Sequence, residues 1–169
     1  GFLATSIVFL RKYGYNLWLW FDLMMPSILF GLIILQLANF MMQFSLGTPL
    51  GLDIPNDHSL AEYVEYRYRP TGFEAYQYFQ PVALYQAFAY SIVFMISVLC
   101  LLINRKYKFL AEGTVFLFSV ILMAIIRFGI GFMYFSVNKD MLLYPMQWIA
   151  LTVMIATVFI YVVKRFQHN

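Results

Sequence analysis

The chain has 169 residues, of which 63% are hydrophobic, 20% aromatic and only 11% charged. A soluble globular domain carries about 25% charged residues, so a water-facing surface cannot be built from this composition and the bilayer must act as solvent for most of it. The net charge of +3 comes from eleven scattered Lys and Arg residues, too few and too dispersed for a nucleic-acid surface.

Chemistry-bearing residues are sparse. The single cysteine, Cys100, lies in an apolar run, so cysteine usage is silent on redox compartment. His58 and His168 have no ligand spacing around them, and neither a metal nor a cofactor is expected. The chain opens Gly1-Phe2-Leu3-Ala4 without a basic, apolar and cleavage-site series, which reads as a cut inside a helix rather than a signal peptide.

In chain order, residues 1–12 read as the last turns of a crossing ending at Arg11-Lys12. A transmembrane helix is expected over 21–44, with Asp22 and Pro26 in its first turns, where proline is tolerated. Residues 45–79 are polar and rich in Gly, Pro, Tyr and acids, and are expected outside the bilayer. Further crossings are expected over 82–103, 113–135 and 142–163, giving an all-α, polytopic bundle with one extracytoplasmic loop subdomain. If the crossings alternate, Arg11-Lys12, Arg105-Lys106-Lys108 and Lys164-Arg165 fall on one side. The opposite side carries Asp53, Asp57, Glu62, Glu65 and Glu74 against Arg67 and Arg69. The positive-inside rule then places the C-terminus in the cytoplasm and the 45–79 segment outside.

Polar groups at membrane depth are costly and ask for a reason. Gln36, Asn39 and Gln43 share helical spacing on one face of the 21–44 crossing. Gln86 and Gln147 lie near the starts of their crossings, and Arg127 lies deep in another. With the expected topology, all of these sit in the outer half of the bilayer. A polar pocket open to the outer leaflet is the simplest reading, and interhelical packing by each amide is the alternative. Arg127 differs, because a guanidinium in hydrocarbon costs about 2.5–3.5 kcal/mol even on the lenient insertion scale. No Asp or Glu occupies the outer half of any expected crossing. Its planar donor fork suits a lipid phosphate, and a structural role against carbonyls or another chain is the competing reading. Gly129 and Gly131 remove bulk beside it, for an acyl chain or, more commonly, a neighbouring helix.

The order of these motifs resembles the prolipoprotein diacylglyceryl transferases. Phe21-Asp22-Leu23-Met24-Met25-Pro26 is similar to an Asp and Pro that open a family crossing. Ala38-Asn39-Phe40 with Gly47-Thr48 resembles the family's Asn, Phe and Gly signature. Gln80-Pro81-Val82-Ala83-Leu84-Tyr85-Gln86 is similar to its His-Pro-x-x-Leu-Tyr-Glu segment. Gly113-x-Val115-Phe116 with Arg127-Phe128, and later Gln147-Trp148, resemble its last two crossings.

The resemblance implies a bacterial inner-membrane enzyme that moves a diacylglyceryl group from phosphatidylglycerol to the cysteine thiol of a lipoprotein precursor. It also implies a lipid-headgroup site at Arg127, Asn39, Gln36, Gln86, Tyr85 and Gly47. The departures are consistent in kind. Gln36 stands for a family Arg, Phe44 for a Glu, Gln80 for the His, Gln86 for a Glu, Gly131 for a Glu and Tyr134 for an Arg. Charge is lost while packing positions remain, so the expectation is a lipid pocket without a catalyst. Such a protein would be a non-catalytic subunit of a membrane assembly, with phospholipid and other membrane subunits as partners. An active transferase acting on a lipoprotein precursor is the alternative. A channel is disfavoured, because no polar path reaches the other leaflet.

Overall fold

A computed structural model describes residues 5, 12–51, 60–134 and 145–167 of the chain. Its described elements, in order, are helix α1 (Leu17–Met41), strands β1 (Pro49–Gly51) and β2 (Glu62–Tyr63), a short 3-10 turn (Tyr66–Tyr68), strand β3 (Tyr78–Phe79), and helices α2 (Val82–Tyr107), α3 (Thr114–Ile130) and α4 (Pro145–Gln167). The expected crossing over 1–12 falls outside the described residues except for Thr5 and Lys12, as do 142–144 of the last one.

Among the described residues, three helices are long and apolar enough to cross a bilayer: Leu17–Met41, Val82–Tyr107 and Pro145–Lys164, with mean hydropathy 1.9, 2.2 and 2.1. A hydrocarbon core about 30 Å thick needs about 20 helical residues, and each of these provides them. The 17 residues of α3 extend about 26 Å, so this helix is shorter than the expected 113–135 span. It ends at Ile130, and residues 131–133 form turns before Tyr134 bridges to Gly47.

Helix α1 begins four residues earlier than expected because Asn16 caps it, its side-chain oxygen accepting the Trp18 N–H at 3.0 Å. Pro26 is consequently inside the helix rather than in its first turn. It withholds one backbone bond from the carbonyl of Asp22, a loss that neighbouring helices absorb in membrane bundles.

The helices pack in sequence, α1 on α2, α2 on α3 and α3 on α4, with α1 also touching α3. Met25, Leu29 and Val93 form the buried centre, enclosed by Phe94, Phe116, Val120, Leu122, Met123 and Ile126. Beside it, Ser97 and Ser119 share a hydroxyl bond of 2.6 Å between α2 and α3, while Ser97 donates back to the Val93 carbonyl. Small hydroxyl residues allow the close approach that drives helix association in lipid. Large apolar side chains such as Phe88 and Phe159 stay exposed, as they must on a surface that meets acyl chains.

The segment between α1 and α2 forms a three-stranded antiparallel sheet in the order β1-β3-β2. Glu62 and Phe79 are its buried strand residues and Val64, just past β2, is buried beside them, whereas Tyr63, Tyr66 and Tyr68 remain exposed. Arg69 holds the connecting loop, donating to the Val64 carbonyl at 3.0 Å and the Glu74 carbonyl at 2.8 Å. This guanidinium also lies 5.7 Å from the Tyr66 ring. Asp57 and His58 fall outside the described residues.

Candidate functional site

The sheet end of the bundle gathers most of the polar groups singled out in the sequence. Gln86, one turn into α2, is fully buried, and both halves of its amide are engaged. Its Nε2 donates to the Tyr90 hydroxyl at 2.8 Å, and its Oε1 accepts from the Tyr134 hydroxyl at 2.9 Å. Burial of an amide is tolerable on these terms and expensive otherwise. Tyr134 is placed by the bridge between its own backbone and Gly47, beside which Thr48 N–H donates to the Met133 carbonyl at 3.2 Å.

Gly47 is buried because the chain itself fills the space around it. Its N–H donates to the Gln80 carbonyl at 3.1 Å. A Cβ built there would lie 2.5 Å from Val82 Cγ2 and 2.6 Å from the Gln80 oxygen. Gly47→Ala should therefore displace the start of α2 and destabilise the protein by about 1–3 kcal/mol. Denaturant unfolding in bicelles measures this, and an unchanged midpoint would refute the steric reading.

Gln36 is buried on α1 and accepts from Asn39 Nδ2 at 3.2 Å. Gln43 does not share their face, because α1 ends at Met41 and Gln43 lies beyond it with φ +52. There it clamps the sheet to the helix end, donating to the Tyr63 carbonyl at 2.7 Å and accepting the Glu65 N–H at 3.3 Å. Tyr85 turns toward the sheet segment, its hydroxyl 3.4 Å from the Leu60 carbonyl.

Arg127 sits in the last turn of α3, part-buried. Its charge suits the negative end of the helix dipole, and Tyr134 is within its electrostatic reach. Among the described residues it forms no ion pair; the pair found there joins Arg67 to Glu65 at 2.8 Å. The two glycines beyond Arg127 behave differently. Gly129 has open space where a Cβ would stand, whereas Gly131 is filled by Gln147, whose Cγ would lie 2.5 Å from such a Cβ. Gln147 Nε2 also donates to the Phe128 carbonyl at 3.4 Å.

Glu62 is a candidate that sequence reasoning counted only as one acid among five. Its side chain is buried at 6% exposure. Neither carboxylate oxygen has a hydrogen-bond partner among the described residues. Burial raises its pKa to about 7, which makes it able to take or give a proton near neutral pH. The signal was available in strand parity: Glu62 and Val64 lie two apart on one face, and Val64 is apolar.

In chemical terms, among the described residues the sheet end offers a guanidinium without a protein anion, a set of satisfied amides and hydroxyls, and one buried proton-exchanging carboxyl. Among the described residues no group of three or more His, Cys, Asp or Glu gathers to hold a metal.

Comparison with known proteins gives a consistent picture. The family model described as prolipoprotein diacylglyceryl transferase matches residues 1–163. The chain is 28% identical over 168 residues to the phosphatidylglycerol--prolipoprotein diacylglyceryl transferase of Shouchella clausii (strain KSM-K16). That alignment covers 98% of this chain and 57% of the relative, so the chain spans a little over half of the relative's length. No solved structure matches the chain.

Proposed function

The chain belongs to the prolipoprotein diacylglyceryl transferase family, and we propose that it is a non-catalytic, phospholipid-binding member serving as a structural or accessory subunit of a membrane assembly. Arg127 receives the phosphate of a phosphatidylglycerol-like headgroup, with Gln36, Asn39, Gln86, Tyr85 and Gly47 shaping the surrounding wall. The reading places the protein in a bacterial cytoplasmic membrane with its C-terminus on the cytoplasmic side.

The observation that carries it is the closed hydrogen-bonding of Gln86. Diacylglyceryl transfer to a thiol requires a base to generate thiolate and fixed positive donors at the departing phosphate. An amide held between Tyr90 and Tyr134 accepts no proton. It is suited to holding α2 against the Tyr134 segment, not to turning over a substrate. Arg127 still offers the two-pronged geometry that phosphate oxygens prefer.

Retention of phosphatidylglycerol by the purified chain, read by native mass spectrometry, tests the lipid site. Arg127→Ala should weaken it about ten- to hundredfold, and equal retention by the variant removes the site. Restoration of lipoprotein modification in cells lacking the transferase would overturn the non-catalytic part.

Glu62 favours a second reading, an active phosphatidylglycerol-prolipoprotein diacylglyceryl transferase acting on a lipoprotein precursor. A buried carboxyl with a pKa of about 7 has the basicity that thiol activation needs. On that reading both Glu62→Gln and Arg127→Ala abolish turnover, and full activity in either variant rejects the corresponding role.

A further inference from the structure

The end of the bundle away from the sheet carries a feature that the Arg127 site does not explain. A groove of about 690 Å³ lies between α1 and α2, walled by Leu23 and Pro26 on one helix and Leu101 and Leu102 on the other. Arg105 and Lys108, both exposed, line its polar end. Lys106 adjoins them, so this end of α2 is strongly cationic. Glu112 also lines the groove, but its carboxylate accepts a hydrogen bond from the Asn16 side chain. Asn104 is likewise committed, holding the Leu110 N–H at 2.8 Å. Arg105 and Lys108 have no such partner among the described residues.

A second apolar groove, of about 440 Å³, lies on the other side of Leu110 and is lined by Cys100, Phe109, Val115, Phe118 and Tyr161. Leu110 lines both grooves. Two apolar grooves that share Leu110, the first of them lined by two cations, suit a diacyl lipid bearing a net negative headgroup.

The geometry points to a second, separate lipid site: an anionic diacyl phospholipid with its phosphate between Arg105 and Lys108. One acyl chain lies along Leu23 and Leu101, and the other lies beyond Leu110. Cations at a membrane surface attract anionic lipids, and apolar grooves between helices orient the chains. A zwitterionic lipid brings the same phosphate, but its own cationic group is repelled by the two cations, so it gains less from them.

The test uses the full 169-residue chain carrying Arg127→Ala, so that binding at the other end does not contribute. Samples are equilibrated with phosphatidylglycerol or with phosphatidylcholine of the same chains, and bound lipid is counted by native mass spectrometry. The expected result is retention of one phosphatidylglycerol in preference to phosphatidylcholine. Retention should fall about thirtyfold in R105A/K108A and return in R105K/K108R. Leu23→Trp, which fills the first groove while leaving both cations, should also displace the lipid. Equal retention of the two lipids, or unchanged retention in R105A/K108A or Leu23→Trp, overturns the proposal. Each outcome is independent of whether Arg127 binds a headgroup.

Discussion

Replacing Asp22 with alanine is expected to destabilise the bundle by about 3–5 kcal/mol. Asp22 lies on α1, yet it caps a different helix. Its Oδ2 accepts the Gly113 N–H at 2.6 Å and its Oδ1 the Phe116 N–H at 2.7 Å. These are donors at the start of α3, which has no side-chain cap of its own because its cap residue is Gly113. A glycine is required there twice over. Its φ is +81, and a Cβ would stand 2.6 Å from Trp18 and 2.8 Å from Lys164 Nζ. Without the carboxylate, one buried and one part-buried N–H group lose a charged acceptor and the positive end of α3 loses its anion. Lys164, whose Nζ is buried 4.4 Å from the centre of the Trp18 ring, loses one of its two nearby negative charges and keeps Glu112. Asp22→Asn keeps one acceptor and should cost roughly half as much. SDS-titration unfolding in bicelles reads both variants, and an Asp22→Ala shift within about 0.5 kcal/mol would contradict the capping role.

A second large effect belongs to Glu62. With its pKa raised from 4.5 to about 7, the folded protein holds a proton that the unfolded chain releases between those values. Stability is therefore greatest below pH 4.5. It falls as pH rises toward 7, then levels off, a change of about 3 kcal/mol from this residue. Glu62→Gln should abolish this part of the pH dependence and stabilise the protein at pH 8, because a neutral amide avoids burial of an unpartnered charge. Thermal unfolding recorded from pH 4 to pH 9 for both proteins makes the comparison. A variant that follows the same pH profile as the parent would show that Glu62 is not the titrating group. If the alternative transferase reading holds, the same substitution gains stability while losing turnover, which separates a catalytic carboxyl from a packing defect.

Much of the architecture was legible because lipid leaves few choices. Long apolar runs without charge can only be crossings, and α1, α2 and α4 follow from the runs containing Phe21, Val82 and Trp148. The boundaries were less legible. Asn16 started α1 early, and Pro26 did not mark its first turn, since a bundle repairs the bond that a proline removes. Gln43 satisfied helical spacing with Gln36 and Asn39 but lies past the helix end with φ +52, where its amide ties down the sheet. Spacing cannot see where a helix stops.

The polar residues show the same division. Sequence reasoning recognised that Gln86 was out of place in a membrane, but its partners, Tyr90 four residues on and Tyr134 on another element, depend on the fold. Asp22 was noted as part of an Asp–Pro segment opening its crossing, and its capping role required knowing that the α3 start lies against it. Glu62 was hidden in a segment placed outside the bilayer because it is polar overall. The inward face of a three-stranded sheet is decided residue by residue, not by average composition.

The fit of Gln147 against Gly131 limits how this protein can be remade. Any attempt to give it a carboxylate four residues after Arg127 meets the Gln147 side chain at the first added carbon. A single substitution there would press on Gln147, and through it on the α3–α4 packing, before it supplied any acid. An engineer seeking to install chemistry here would first have to shorten position 147, so a charged centre takes at least two coordinated changes.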